Sequence, residues 1–258
     1  SMYTLCGKDR IHPSTDGHLV MAYLFLKAQG LAGKPVADIR IDGAGKKVTR
    51  SDNCRVSDLS VSSDNLTFTY EAKSLPYPID TSYYDNEKHT QADALSVIPF
   101  MDEMNYEGLS VSGLSDGYYG LTIGGEFIGR FTARELERGI NMALLQNTPQ
   151  YKQAMKIRQM NEERWLKERK MREFYWVEYN LMRKTGMLWA CNEAAVDTLR
   201  KYRPHDIFLQ WNGDLWLQYM HKGIREDCVN EQQDLVNQIY EQNKPIPLRI
   251  EIKKFTDL

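Results

Sequence analysis

An apolar helical pattern lies near the start of the chain. Residues 15–29 are predicted to form a helix, because polar residues at 14–16 can cap its start and Gly30 follows its end. Its interior, residues 19–26, is apolar on every side. A helix without a polar stripe needs cover all round. We therefore expect it to pack on residues 33–258 or to be buried against a second copy of the chain in a homo-oligomer.

Alternation of apolar and polar side chains follows this helix and predicts β-strands. The Gly124-Gly125 pair is typical of a tight hairpin between two of them. Turn residues between consecutive alternating segments indicate antiparallel pairing. The last alternating segment, 248–252, predicts a closing strand. The predicted strands cover 36–41, a segment from Val48, 56–61, 66–70, 109–111, 118–123, 127–131 and 248–252.

From Pro149 onward the pattern is mainly helical. Residues 150–183 predict one long charged helix, and residues 192–201 and 226–243 predict two more. The run 211–214 has turn residues and is predicted to be a turn. The predicted inner positions of the long helix are Tyr151, Met155, Ile157, Met160, Trp165 and Met171. Those of the last helix are Val229, Leu235, Val236, Ile239 and Tyr240.

These patterns indicate an α+β fold. A terminal loop and helix are followed by an antiparallel β-rich region and by a mainly helical region that contains the long charged helix. We divide the chain into three parts, residues 1–32, 33–147 and 148–258. The second part, which is β-rich, and the third, which is helical, are predicted to be accessory to the domain that the first part ends.

Composition narrows the function. Hydrophobic residues make up 42% and charged residues 26%, which is typical of a globular protein. The formal net charge is −2, so no basic field favours nucleic acid. No apolar run is long enough to predict a membrane span. No Cys/His cluster has zinc-ligand spacing, and the cysteines form either two disulfides or free, buried thiols. They are Cys6, Cys54, Cys191 and Cys228.

The stretch Asp9-Arg10-Ile11-His12-Pro13 carries a candidate for chemistry. A serine hydrolase needs a base to accept the hydroxyl proton and a carboxylate to orient that base. Because a turn brings position i close to i+3, Asp9 and His12 can form such a pair on one loop. A plain loop carboxylate with turn hydrogen bonds is the alternative.

This stretch resembles the last sequence block of the SGNH hydrolases, the GDSL-type serine esterases. The likeness continues through the run Gly17-His18-Leu19-Val20-Met21-Ala22. The resemblance implies that His12 is the general base, that Asp9 orients it, and that residues 1–32 end an SGNH α/β hydrolase domain. Later runs resemble C-terminal extensions of bacterial members of the family. These runs are 109–114, 117–123, 129–131, 139–144 and 244–247.

The resemblance also implies a reaction. We expect a serine esterase that hydrolyses acyl esters, with acetyl groups on carbohydrates among the substrates, without a metal or organic cofactor. The family's serine and oxyanion-hole residues would precede Tyr3, so this chain alone is expected to be inactive. Ser115 lies between glycines, but predicted strands flank it, which favours a hairpin-turn serine. Family habit implies export to the periplasm or outside the cell.

A non-catalytic accessory module, binding glycan or mediating assembly, is the alternative function. Aromatic residues are dense at the end of the long helix and after it, and packing in the core against that helix is favoured over a sugar-stacking platform. His18 is predicted to be structural rather than a metal ligand with His12, and His89, His205 and His221 have no partners evident in the sequence. The aromatic residues are Tyr175, Trp176, Tyr179, Trp189, Trp211, Trp216 and Tyr219.

Overall fold

A computed structural model describes residues 4–7, 10–82 and 89–255. It confirms the α+β class. The helices are α1 Thr15–Ala28, α2 Phe100–Glu103, α3 Ala133–Arg138, α4 Pro149–Val177, α5 Glu193–Tyr202, α6 Ile207–Tyr219 and α7 Lys222–Gln242. The strands are β1 Ala37–Asp42, β2 Lys47–Asp52, β3 Cys54–Val61, β4 Asn65–Ala72, β5 Glu107–Ser112, β6 Tyr118–Ile123, β7 Glu126–Thr132, β8 Ile140–Asn141 and β9 Leu248–Lys254.

Two sheets contain these strands. In the four-stranded sheet the order is β2-β1-β5-β8, and in the five-stranded sheet it is β3-β4-β9-β6-β7. All pairs are antiparallel except β1 with β5, which is parallel. This pair departs from the antiparallel prediction, because β1 and β5 are joined by a long connection rather than by a hairpin.

The predicted closing strand is present, and it lies inside its sheet. β9 pairs with β4 on one side and with β6 on the other. Its inward residues, Leu248, Ile250 and Ile252, join a core that both sheets share. Ile39 of β1 and Phe68 of β4 are completely buried in the same core. The C-terminal strand therefore holds together segments that are distant in sequence.

One face of α1 packs on later residues, as predicted. Leu19, Val20 and Tyr23 contribute to a buried cluster with side chains from residues 79–143. The Tyr23 hydroxyl also donates a hydrogen bond to Glu103 at 2.7 Å. The other face stays exposed, and its large side chains are Met21, Leu24 and Phe25. Within the described chain, then, α1 is covered on one side only.

Two compact units divide the described residues. One consists of Ser1–Met155 with Asn243–Leu258, and the other of Lys156–Gln242. The three-part division made from the sequence stays a prediction. No described helix is long and apolar enough to cross a membrane.

The helical region differs from the prediction in places. Residues 211–214 belong to α6 and do not form a turn, because Asp206 caps a helix that runs through them. A π-helical turn, Glu178–Met182, follows α4. Of the predicted inner positions, Tyr151, Met160, Met171 and Leu235 are buried, whereas Trp165, Val229 and Tyr240 are exposed. The prediction was wrong at the three exposed positions, because the apolar residues of α4 and α7 are not strongly confined to one side of the helix.

Candidate functional site

A tight loop before α1 carries His12. Cys6 and Pro13 form an antiparallel bridge. The Gly7 N–H donates to the His12 carbonyl at 2.9 Å, and the Ser14 N–H donates to the Leu5 carbonyl at 3.2 Å. The two arms of the loop are thus paired backbone to backbone, and the His12 side chain is exposed. A histidine held on such a loop is accessible to a reacting group.

Asp9, the predicted partner of His12, lies outside the described residues. The proposed pairing of the two side chains therefore stays a prediction. His18 is exposed in the first turns of α1, on the helix rather than on the loop. Among the residues that the structure describes, no cluster of three or more His, Cys, Asp or Glu side chains could hold a metal ion.

Gly17 lets the loop lie directly on α1. A Cβ atom at this position would lie 2.0 Å from the Leu5 carbonyl oxygen and 3.3 Å from Pro13 Cβ. The first of these distances is impossible for any residue with a side chain. The glycine of the Gly17-His18 run is therefore required locally, because the loop that carries His12 contacts the helix backbone at this position.

Asp16 ties the same junction together from inside. Its side chain is completely buried. Oδ1 accepts hydrogen bonds from the Ser14 hydroxyl and from the Gly17 N–H, the latter at 2.9 Å. Ser14 is the N-cap of α1, but its hydroxyl bonds to Asp16 instead of to the helix backbone. The carboxylate therefore fixes the start of α1 immediately after the loop.

The second oxygen of Asp16 faces a histidine that the sequence left without a partner. Asp16 Oδ2 lies 3.8 Å from His89 Nδ1, and Asp93 Oδ2 lies 4.0 Å from the same nitrogen. The imidazole is 52% exposed, whereas Asp16 is fully buried. The imidazole thus lies within ion-pair distance of a buried carboxyl oxygen that has no hydrogen-bond partner among the described residues. No local sequence signal could have paired these residues, since they are distant in the chain.

Ser115 occupies the loop between β5 and β6. Its hydroxyl accepts a hydrogen bond from Lys254 Nζ at 2.8 Å and lies 3.1 Å from the Tyr119 hydroxyl. A strand follows it, whereas a nucleophile elbow leads into a helix. The geometry agrees with a turn serine whose hydroxyl is already bound by neighbours.

The second unit brings another pair together. Cys191 Sγ lies 3.4 Å from His221 Nδ1, and both side chains are exposed. All four cysteines are free. Cys191 directly precedes Asn192, the N-cap of α5. A thiol beside an imidazole is a candidate nucleophile, and the sequence analysis gave His221 no partner.

The aromatic residues of the second unit divide between core and surface. Trp216 and Tyr219 are buried, as the core interpretation predicted. Trp211, at 67% exposed, contradicts it. Trp211 lies on the outer side of α6, where the helix places it away from the core. The other exposed members are Tyr175, Tyr179 and Trp189.

Two comparisons with known proteins found similarity to this chain. Residues 155–244 match the sequence model of the diltiazem deacetylase C-terminal helical domain. The solved structure of a gut microbial diltiazem-metabolizing enzyme is 41% identical to this chain, with a TM-score of 0.92. The similarity covers 98% of this chain and 57% of that enzyme's chain. No curated protein sequence matches.

Both matches are described by their action on diltiazem, one as a deacetylase and the other as a diltiazem-metabolizing enzyme. The chain spans a little more than half of that enzyme's length. Membership of the SGNH hydrolases in particular stays a prediction.

Proposed function

We propose that this chain is part of a serine esterase of the SGNH type that removes acyl groups, acetyl above all, from ester substrates. The observation that carries the proposal is the similarity, over nearly the whole chain, to a diltiazem-metabolizing enzyme. The loop that holds His12 before α1 supports it, because a base there is accessible and backbone-anchored.

In the proposed reaction His12 is the general base. It accepts the proton of a serine hydroxyl as that oxygen attacks the ester carbonyl, and it returns the proton to the departing alcohol oxygen. Water then attacks the acyl-serine while His12 accepts a proton from it, and His12 passes this proton to the departing serine oxygen as the acid is released. Asp9 would orient the imidazole. The serine and the donors of the oxyanion hole come from outside these 258 residues, upstream or on another chain.

Acylated carbohydrates are the substrates we propose, and export to the periplasm or beyond is the proposed location. The exposed aromatic side chains of the second unit support a sugar substrate, since flat ring faces stack on sugar rings.

The test uses a chromogenic acetate ester and a serine-reactive fluorophosphonate. We expect no turnover and no covalent label with the 258-residue chain, and both with the natural protein at full length. Labelling of Ser115 in the chain itself would contradict the proposed external nucleophile.

Substitutions in the natural protein distinguish the two candidate bases. We expect His12→Ala to lower kcat by about 10³-fold or more, because the proton acceptor is lost. His18→Ala, which removes an exposed histidine on the adjacent helix, is the matched control and should keep activity. If His89→Ala instead causes the large loss, the base is the His89 imidazole beside Asp16.

A non-catalytic accessory module remains the second candidate. The exposed aromatic surface favours it, because a binding module needs ring faces but no nucleophile. If the natural protein binds glycan but has no serine that reacts with the phosphonate, the accessory module is the correct function.

A further inference from the structure

A groove in the second unit lies where the π-helical turn, the end of α5 and the start of α6 meet. Its volume is about 350 Å³. The lining combines ring-bearing side chains with polar ones. The residues that matter here are Trp176, Asn180, Lys184, Tyr202, His205 and Asp206.

Aromatic rings continue from the groove onto the surface. The Trp176 ring centroid lies 5.2 Å from that of Phe208, and Phe208 lies 5.5 Å from Trp211. Phe208, Trp211 and Tyr202 are all exposed. Core packing does not account for rings that remain in solvent, so a connected aromatic surface is available to a ligand.

Two polar groups of the groove are held by hydrogen bonds. Asn180 Nδ2 donates to the Trp176 carbonyl at 2.9 Å, which leaves the amide oxygen as an acceptor. Asp206 Oδ1 accepts from the N–H groups of Phe208 and Leu209 as the cap of α6, so the carboxylate is fixed as well. Lys184 and His205 add donors. The groove therefore offers both acceptors and donors beside a ring face.

The π-helical turn is part of this arrangement. The Arg183 N–H donates to the Glu178 carbonyl, five residues back, at 2.8 Å. This wider turn contains Asn180, which belongs to the groove lining. The buried Glu178 carboxylate accepts hydrogen bonds from Trp189 N–H and Trp216 Nε1–H, both at 2.8 Å. Such turns are frequent at functional sites. Here the two hydrogen bonds of the buried Glu178 carboxylate anchor the turn on its inner side.

We propose that this groove binds a saccharide ring. A sugar ring has an apolar C–H face, which suits an aromatic platform, and hydroxyl edges that both donate and accept hydrogen bonds. A purely apolar ring can neither donate to nor accept from the amide and ammonium groups of the lining, whereas sugar hydroxyls do both. The binding needs no catalysis, so it goes beyond ester hydrolysis and can fail or succeed independently of it.

Saturation-transfer NMR with cello-, xylo- and chito-oligosaccharides tests the proposal on the 258-residue chain. We expect at least one of the three to receive saturation and its affinity to be measurable by calorimetry. Tyr202→Ala and Asn180→Ala should each weaken that affinity about tenfold, since each removes one stacking or hydrogen-bonding contact. Tyr202 is exposed, so its truncation leaves the core unchanged.

Tyr240→Ala is the matched control, because Tyr240 is a 74% exposed ring outside the groove lining. It should bind as the unaltered chain does. Absence of binding for all three oligosaccharides would overturn the proposal, as would an equal loss in the control. A dimer that Trp211→Ala dissociates, in a chain that binds no sugar, would show that the aromatic surface is a subunit contact.

Discussion

Asp16 and His89 face each other across a short gap, with Oδ2 of the buried carboxylate 3.8 Å from Nδ1 of the half-exposed imidazole. The other oxygen of Asp16 holds Ser14 and the Gly17 N–H. One carboxylate thus connects the loop before α1, the helix itself and the segment that carries His89. Only Oδ1 is hydrogen-bonded, since Oδ2 has no hydrogen-bond partner among the described residues.

Removal of this carboxylate should loosen the junction. We expect Asp16→Ala to lower the free energy of unfolding by about 2 kcal/mol, because buried donors lose their acceptor. Urea denaturation measures the change. Asp197→Ala is the control, since Asp197 is an exposed partner of Arg200 at 3.0 Å and should change stability by less than about 0.5 kcal/mol. Equal effects would show that the Asp16 contacts add nothing.

Glycine is required at position 17 but not at position 223. Gly17→Ala places a Cβ atom 2.0 Å from the Leu5 carbonyl oxygen, and we expect a loss of about 2 to 3 kcal/mol in unfolding free energy. Gly223 lies in α7 with no atom near its added Cβ. Gly223→Ala should therefore stabilise the chain by about 0.5 to 1 kcal/mol. Thermal unfolding compares the two, and the same sign for both would contradict the prediction.

Glu107 makes stability depend on pH. Its carboxyl group is buried, accepts hydrogen bonds from Tyr70 and Gln150, and has a second oxygen without a partner in the described chain. Burial raises the pKa of Glu107 from 4.5 to about 7. Between these values the unfolded chain has lost the proton and the folded chain keeps it, so stability falls as pH rises and the fall is complete above pH 7.

Glu107→Gln should remove this fall. At about 1.4 kcal/mol for each pH unit, the full effect is about 3 kcal/mol at most. We expect the variant to be more stable than the unaltered chain at pH 8, with little difference at pH 4.5, because glutamine stays neutral and gains a donor. Urea denaturation at both pH values measures this. A pH slope that persists in the variant would assign it to another group.

Cys191 should be the first thiol to react with iodoacetamide. It is exposed, and the His221 imidazole at 3.4 Å can accept its proton, whereas Cys54 and Cys228 are buried. Mass spectrometry of the alkylated peptides measures the order. His221→Ala should slow labelling of Cys191 severalfold, and Lys222→Ala, at the neighbouring exposed position, should not. Faster labelling of a buried cysteine would contradict the described fold.

The exposed face of α1 should promote self-association. Phe25 is 64% exposed beside Leu24, and we propose that a second copy of the chain covers them. Sedimentation equilibrium of the 258-residue chain should show a dimer that Leu24→Gln with Phe25→Gln dissociates. Leu166→Gln, at an exposed leucine of α4, is the control and should keep the dimer. A monomer at every concentration would contradict the proposal.

The sequence determined the local elements, because each depends on residues that are neighbours in the chain. The helix at 15–28, the Gly124-Gly125 hairpin and the long helix from Pro149 were all predictable from local residue patterns. The loop that carries His12 was found for the same reason, since its pattern lies within a few residues.

Tertiary structure decided everything that joins distant positions. Period does not show which strand will lie beside another, so β9 was predicted as a strand but not as the centre of its sheet. The Asp16–His89 and Cys191–His221 pairs arise only when the chain is folded. Residues 211–214 have turn-type residues, but they lie inside α6, a helix that Asp206 caps. The Trp211 ring is therefore on the exposed side of a helix. Contacts across the fold, unlike helical or strand period, leave no trace in a single sequence.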